Sequence, residues 1–172
     1  RRVLFRSRKN HYEFNNLGAV GCYLSHIKVW KRILKDNVKY GIVYEDDVEF
    51  NKNITSELII ECINDLPNDW HILLLNKNKV KMHKTTNIKN LYKVERFLCT
   101  HSYVIKSNVI KYLLENILPI NQQIDFKLSC LASNKIINIY LYNNGKYYKQ
   151  YINNITNIQT NSEKGASWDL NC

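Results

Sequence analysis

The stretch Tyr40-Gly41-Ile42-Val43-Tyr44-Glu45-Asp46-Asp47 decides how this chain is expected to fold. Its first five residues are apolar, aromatic or glycine, and β-branched and aromatic residues favour strands. Three adjacent carboxylates follow at once. In open α/β sheets, ligands bind beyond the carboxyl ends of the strands. We therefore predict a strand at residues 40–44 and a site directly after it.

The acids Glu45, Asp46 and Asp47 permit two interpretations. Three adjacent like charges repel one another, so their arrangement is costly unless a cation or basic side chains offset it. Oxygen ligands, with no neighbouring cysteine and no spaced histidine pair, favour Mg²⁺ or Mn²⁺ over zinc. Acidic residues are also common in solvated turns, which is the more frequent explanation of such a triplet taken alone.

Helical and strand patterns alternate along the rest of the chain. Apolar residues at helical spacing predict helices over residues 18–35, 55–66, 108–118 and 125–132. Apolar, β-favouring runs predict strands over residues 70–75, 91–94 and 100–105, and a β pair of residues 136–142 with 147–152. Residues 76–90 lack periodicity and are predicted to form a surface loop. This alternation predicts an α/β domain with a mostly parallel sheet flanked by helices.

The length and composition indicate one globular domain. The chain has 172 residues, and its apolar runs are all interrupted well before the roughly 18–20 residues that a membrane-spanning helix needs. Its net charge of +10 raises the alternative of a basic module that binds nucleic acid or a membrane surface. The lysines are scattered rather than grouped on one face, which makes this alternative minor.

The first seven residues differ in composition from the rest. Arg1, Arg2 and Arg6 are three of only six arginines in the chain, and the other basic residues are nearly all lysines. We expect residues 1–7 to be a sequencing-adapter artefact. We expect residues 8–172 to be a single domain that lacks its natural N-terminal part. Without the three arginines, 22 basic residues face 15 acidic ones, a net charge of +7.

The five cysteines are widely spaced and form no C-x-x-C pair. This pattern excludes a zinc knuckle or a thioredoxin-type motif and suits a reducing compartment. We expect a cytoplasmic protein or one that lies peripherally on a membrane. Because the natural N-terminus is expected to be missing, a signal peptide is left open.

Two blocks of sequence together resemble glycosyltransferase family 25. The first is Gly18-Ala19-Val20-Gly21-Cys22-Tyr23-Leu24-Ser25-His26, which is similar to the G-x-x-G-C-x-L-S-H helix of that family. The second is Ile42-Val43-Tyr44-Glu45-Asp46-Asp47-Val48, similar to its V-x-E-D-D-V strand. Downstream, Thr100-His101-Ser102-Tyr103-Val104 resembles its T-H-x-Y-V strand, and residues 119–125 its P-I-x-x-x-I-D segment.

The resemblance implies a fold and an activity. The fold is the GT-A nucleotide-sugar fold, whose first β-α-β segment would be missing here. The activity is transfer of a hexose, galactose or glucose, from a UDP-sugar to a glycan, glycolipid or glycoprotein, as in lipopolysaccharide biosynthesis, with inversion at the anomeric centre. The cofactor is Mn²⁺ or Mg²⁺. The alternatives are a catalytically silent relative and the basic binding module.

The resemblance also assigns candidate site residues. Glu45 and Asp47 take the two acidic positions of a D-x-D-like element, with Asp47 as the principal metal ligand and Asp46 in support. Asp125 is the candidate base that deprotonates the acceptor hydroxyl. Its alternative role is that of an acidic residue at a helix N-terminus, where the helix dipole favours negative charge.

Three further polar residues have two open roles each. His26 lies on an apolar side of its helix, either as a hydrogen-bonded core histidine or as a residue that orients the acidic loop. Ser25 either lies on the helix surface or approaches the donor phosphate. His101 is either a third metal ligand or an ordinary residue at a strand end.

Overall fold

The structure, a computed structural model, describes residues 17–50, 55–75, 80–83, 88, 90–142 and 148–150. The proposed adapter residues 1–7 lie outside this range. Within the described part of the chain, no helix is both long and apolar enough to cross a membrane. Cys130 is disulfide-bonded, so the wide spacing of the cysteines does not by itself assign a reducing compartment.

The four predicted helices are confirmed, with small differences at their ends. The first three each bury one apolar stripe, as their periodicity predicts, whereas the fourth buries five consecutive residues, 128–132. Thr55 caps the second helix, because its side chain accepts a hydrogen bond from the N–H of Leu58. The helices are α1 (Leu17–Lys35), α2 (Ser56–Asn64), α3 (Ser107–Asn116) and α4 (Ile124–Ser133).

Eight strands are described, two of which form a separate pair. They are β1 (Tyr40–Tyr44), β2 (Val48–Phe50), β3 (Ile72–Leu74), β4 (Val80–His83), β5 (Leu91–Phe97), β6 (Ser102–Lys106), β7 (Ile139–Tyr142) and β8 (Tyr148–Gln150). Six form one open sheet in the order β1-β6-β3-β7-β5-β4, while β2 pairs with β8. The strand at residues 40–44 lies exactly where the sequence predicts it.

The prediction of a mostly parallel sheet is wrong. Of the five pairings in the six-stranded sheet, only β3 with β7 is parallel. The prediction assumed that a helix connects each strand to the next, but β3, β4, β5 and β6 follow one another without a helix in the described part of the chain. A parallel pair needs a long crossover, usually a helix, and the consecutive strands β4 and β5 pair antiparallel. The mixed α/β class is nevertheless correct.

Two local predictions also differ from the structure. Part of the predicted loop at residues 76–90 is β4, whose Met82 lies opposite Val94 of β5. The predicted hairpin of residues 136–142 with 147–152 does not form in the described chain, since β8 pairs with β2. Because Ile139, Tyr140 and Leu141 are all buried, β7 takes an interior place between β3 and β5.

The core has two layers, one on each face of the sheet. Ile72 and Leu74 of β3 face the layer that contains α1, α3 and α4. Leu73 and Leu75 face the layer that contains α2. This arrangement explains the continuous apolar run at residues 70–75, because both faces of the strand are covered. The helix α1 is thereby held against the sheet beside β1.

Candidate metal centre

The acidic triplet lies beside the beginning of β6. Strand β1 ends at Tyr44, which is paired with Ser102 at the start of the antiparallel β6. The next residue, Glu45, continues this contact, because its N–H donates to the carbonyl of His101 at 2.8 Å. The polar residues that precede β6 therefore lie next to the acids that follow β1.

Glu45 is at the centre of this site. Its Oε1 accepts a hydrogen bond from the hydroxyl of Thr100 at 2.6 Å and lies 3.2 Å from Nε2 of His26. Its Oε2 lies 3.2 Å from Nδ1 of His101. Burial raises the pKa of this carboxyl, but the hydrogen bonds of His101, His26 and Thr100 outweigh burial and hold the pKa well below its usual range. Glu45 is therefore ionised at neutral pH.

Asp47 and His101 complete a group that fits a divalent ion. Nδ1 of His101 lies 3.9 Å from Oδ1 of Asp47. Glu45, Asp47 and His101 each offer a ligand atom, and these atoms all lie within 4.8 Å of one another. Among the described residues, the buried Nε2 of His101 has no hydrogen-bond partner. Two carboxylates and an imidazole form a donor set that suits Mn²⁺.

A second group, formed by Cys22, His26 and Glu45, fits an ion less well. Burial raises the pKa of Cys22 to about 12, with a further contribution from the negative charge of Glu45. The thiolate, not the thiol, is the metal ligand. In addition, Nδ1 of His26 is 2.7 Å from the hydroxyl of Tyr103, and its Nε2 is next to Glu45. His26 is thus a buried, hydrogen-bonded histidine that also contacts the acidic segment, and its role in orienting that segment stays a prediction.

Asp125 lies at the start of α4 and binds the segment that leads into β6. Its Oδ2 accepts a hydrogen bond from the N–H of Cys99 at 2.8 Å, and its Oδ1 accepts one from the N–H of Phe126 at 2.7 Å. Cys99 has a positive φ of 75°. Burial raises the pKa of Asp125 although both hydrogen bonds lower it. The geometry agrees with the helix-terminus role, and the role as a base stays a prediction.

The remaining candidate site residues, Ser25 and Asp46, are both exposed. Ser25 is exposed, and its hydroxyl donates to the carbonyl of Gly21 at 2.9 Å on the surface of α1. This agrees with the surface alternative, and contact with a donor phosphate stays a prediction. Asp46 is exposed between its two acidic neighbours.

Thr100, Tyr103 and Trp30 were not predicted to be part of the site. Thr100 donates to Glu45, and Tyr103 and Trp30 lie behind His26. One signal in the sequence does point to two of these three residues. Thr100 and Tyr103 are the first and fourth positions of the T-H-x-Y-V block that carries the family resemblance.

Comparison with known proteins supports the same resemblance. The model of a family described as "Glycosyltransferase family 25 (LPS biosynthesis protein)" matches residues 3–128. A "Putative glycosyltransferase" of Haemophilus influenzae is 33% identical over 121 residues, which are 67% of this chain and 41% of that protein. Procollagen galactosyltransferase 2 of Homo sapiens is 28% identical over 94 residues, 51% of this chain and 15% of the relative.

Some relatives have names that begin with "Inactive" or "Probable inactive". The protein named "Inactive glycosyltransferase 25 family member 3" of Homo sapiens is 30% identical over 76 residues, 43% of this chain and 13% of the relative. The chain thus spans less than half the length of each of these three relatives. The family match covers most of the chain and includes the acidic segment, the beginning of β6 and Asp125. The resemblance in the sequence is therefore confirmed, and the chain belongs to glycosyltransferase family 25.

Proposed function

We propose that the protein is a metal-dependent glycosyltransferase that moves a hexose, galactose or glucose, from a UDP-sugar to a glycan, glycolipid or glycoprotein. One observation carries the proposal. The ligand atoms of Glu45, Asp47 and His101 lie within 4.8 Å of one another at the edge where β1 ends and β6 begins. A protein with this group can hold a divalent cation and still leave positions open for a diphosphate.

The proposed cofactor is Mn²⁺, with Mg²⁺ as the alternative. Asp47, Glu45 and His101 would hold it, and the bound ion would supply Lewis-acid stabilisation of the charge that develops on the UDP leaving group. The donor set supports this choice, because carboxylates and imidazole suit Mn²⁺, whereas Mg²⁺ prefers oxygen alone. The low pKa of Glu45, which its hydrogen bonds with His101, His26 and Thr100 produce against the effect of burial, favours an ionised ligand at neutral pH.

Asp125 is proposed to accept the proton of the attacking hydroxyl. The raised pKa of this carboxyl supports the role, since a general base works best with a pKa nearer to the operating pH. Each of its oxygens accepts one backbone hydrogen bond, which fixes the side chain and leaves acceptor capacity on both atoms. The reaction would invert the anomeric centre, because a single in-line attack on the donor needs one base and no covalent intermediate.

A second candidate function is that of a catalytically silent family member. The observation that favours it is the similarity to relatives that are named inactive. Such a protein would retain the fold as an interaction module. Turnover of a UDP-sugar separates the two candidates, because a silent relative transfers no sugar whether or not it binds an ion.

The experiment measures Mn²⁺ binding and UDP release by the protein, with a panel of UDP-sugars. We compare wild type with Asp47→Ala and with Asp65→Ala, an exposed aspartate at the end of α2. We expect Mn²⁺-dependent UDP release from one donor, loss of both ion binding and activity in Asp47→Ala, and no change in Asp65→Ala. Metal-independent activity, or full activity of Asp47→Ala, would contradict the metal centre. Ion binding without turnover of any donor would support the silent relative.

A further inference from the structure

Three buried aromatic side chains form a hydrogen-bonded row behind Glu45. Nε1 of Trp30 donates to the hydroxyl oxygen of Tyr103 at 2.9 Å. That hydroxyl lies 2.7 Å from Nδ1 of His26, whose Nε2 lies 3.2 Å from Oε1 of Glu45. Trp30 and Tyr103 are fully buried, and His26 is 3% exposed. The row thus extends from the core below α1 to the proposed metal centre.

The row determines where its protons lie. The indole of Trp30 can only donate, so the oxygen of Tyr103 is the acceptor of that bond. Tyr103 has a single proton, and the nitrogen Nδ1 of His26 is the acceptor that lies within reach. A His26 that carried its proton on Nδ1 would leave the hydroxyl proton of Tyr103 buried with no acceptor in the described structure. The geometry therefore requires the tautomer of His26 in which Nε2 carries the proton.

In this tautomer, Nε2 of His26 donates a hydrogen bond to one oxygen of Glu45. Oε1 then receives two hydrogen bonds, from Nε2 of His26 and from the hydroxyl of Thr100. Oε2 is the oxygen that faces Nδ1 of His101, which in turn lies 3.9 Å from Asp47. Oε1 is thereby held by His26 and Thr100, which are not proposed ligands, while Oε2 faces His101 and Asp47, which are.

We propose that Trp30, Tyr103 and His26 are positioning residues that fix the Nε2–H tautomer of His26 and so present Oε2 of Glu45 to the metal. The part that concerns the metal rests on the proposed function, whereas the part that concerns the tautomer does not. Partners that orient the groups around a metal are worth about 10- to 100-fold in metal affinity. In the described part of the chain, the hydroxyl of Tyr103 bonds to Trp30 and to His26, so its effect on the ion passes through His26.

Tyr23 provides a matched control for Tyr103. Both are buried in the same core layer. The hydroxyl of Tyr23 donates to the backbone carbonyl of Ile117 at 2.7 Å, so its removal costs a buried hydrogen bond, as removal of the Tyr103 hydroxyl costs the bonds to His26 and Trp30. The substitutions Tyr103→Phe and Tyr23→Phe thus remove the same atom from comparable surroundings, and only the first interrupts the row.

The experiment records the ¹⁵N signals of the histidine rings in the ion-free protein at neutral pH, with the His26 signals identified by their loss in His26→Gln. We expect wild type and Tyr23→Phe to show the Nε2–H tautomer of His26, and Tyr103→Phe to show a mixture of tautomers. The same proteins are then titrated with Mn²⁺. We expect Tyr103→Phe to bind the ion about 10-fold more weakly than wild type, and Tyr23→Phe to bind it equally well.

The outcomes separate this proposal from the proposed function. A wild-type His26 with its proton on Nδ1 would overturn the proposal without any variant having to fold. An unchanged tautomer and unchanged affinity in a folded Tyr103→Phe would overturn it as well, as would an equal loss of affinity in Tyr23→Phe. If wild type shows the expected tautomer but binds no Mn²⁺, the metal centre of the proposed function fails and the tautomer assignment stands.

Discussion

The thiol of Cys22 lies in the negative field of the acidic segment. Burial and the charge of Glu45 raise its pKa from 9.0 to about 12. At pH values below 9, the thiolate fraction of Cys22 is therefore about a thousandfold smaller than that of a cysteine with the ordinary pKa. The thiolate is the form that reacts as a nucleophile. We predict that iodoacetamide alkylates Cys22 about a thousandfold more slowly than a cysteine introduced by Ser25→Cys on the exposed surface of the same helix.

Mass spectrometry of the digested protein gives both alkylation rates in one sample. We expect the rate at Cys22 to increase with pH up to the highest values at which the protein stays folded, since the thiolate fraction increases up to its pKa. Equal rates at positions 22 and 25 would show that neither burial nor the nearby carboxylates raise the pKa of this thiol.

The raised pKa of Asp125 predicts how the free energy of unfolding depends on pH. Burial raises the pKa of this carboxyl in the folded state above its ordinary value of 3.8. Such a group stabilises the fold at low pH, below its unfolded pKa, and this contribution is lost as the pH rises through its folded pKa. The Asp125→Asn variant does not titrate and retains one acceptor oxygen. We therefore predict that its free energy of unfolding, relative to wild type, increases between about pH 3 and pH 7.

Urea unfolding of both proteins at several pH values measures this difference. A relative stability that falls with increasing pH would mean that the carboxylate is the favoured form in the fold. The variant also tests the proposed base, because removal of a general base typically costs about 10²- to 10⁴-fold in rate. Loss of activity with retained stability would separate catalysis from support of the Cys99 segment.

At the scale of elements, the contact between α1 and β1 controls the site. A Cβ atom on Gly41 would lie 2.5 Å from Cδ1 and 2.7 Å from Cγ1 of Ile33, so the helix packs directly on the strand at this point. Overpacking of a core costs about 1–3 kcal/mol. We predict that Gly41→Ala destabilises the protein by this amount and weakens Mn²⁺ binding, because α1 carries His26.

A double-mutant cycle tests this prediction. Ile33→Ala removes the atoms that the new methyl group would meet, at the cost of a cavity. We expect Gly41→Ala to cost much less free energy of unfolding in the Ile33→Ala background than in wild type. Additive costs, measured by denaturant unfolding, would show that the two residues do not contact each other in this way.

At the scale of the whole molecule, the sequence predicts single helices and strands but not how the strands pair in the sheet. The helix α1 and the strand β1 follow from spacing that lies entirely within each element. The place of β6 between β1 and β3 depends on contacts between residues far apart in sequence, and no local pattern encodes them. The site divides in the same way. Glu45 and Asp47 were found from adjacent acids, whereas the contact of Glu45 with Thr100 joins residues 55 positions apart.

This long-range assembly leads to a prediction for the entire domain. The proposed ion would join the turn after β1 to the start of β6, and Glu45 also contacts α1 through His26. A ligand present at 100 times its Kd stabilises the folded state by about 2.7 kcal/mol. For a domain of this size, that corresponds to an increase in Tm of about 5–10 °C. We expect Mn²⁺ to produce this increase in wild type and no increase in Asp47→Ala.

Hydrogen exchange should show slower exchange in α1, β1 and β6 together when Mn²⁺ is bound, since these three elements share the site. Slower exchange limited to the turn after β1 would mean that the ion binds to the acids alone, without the histidines that link them to the core.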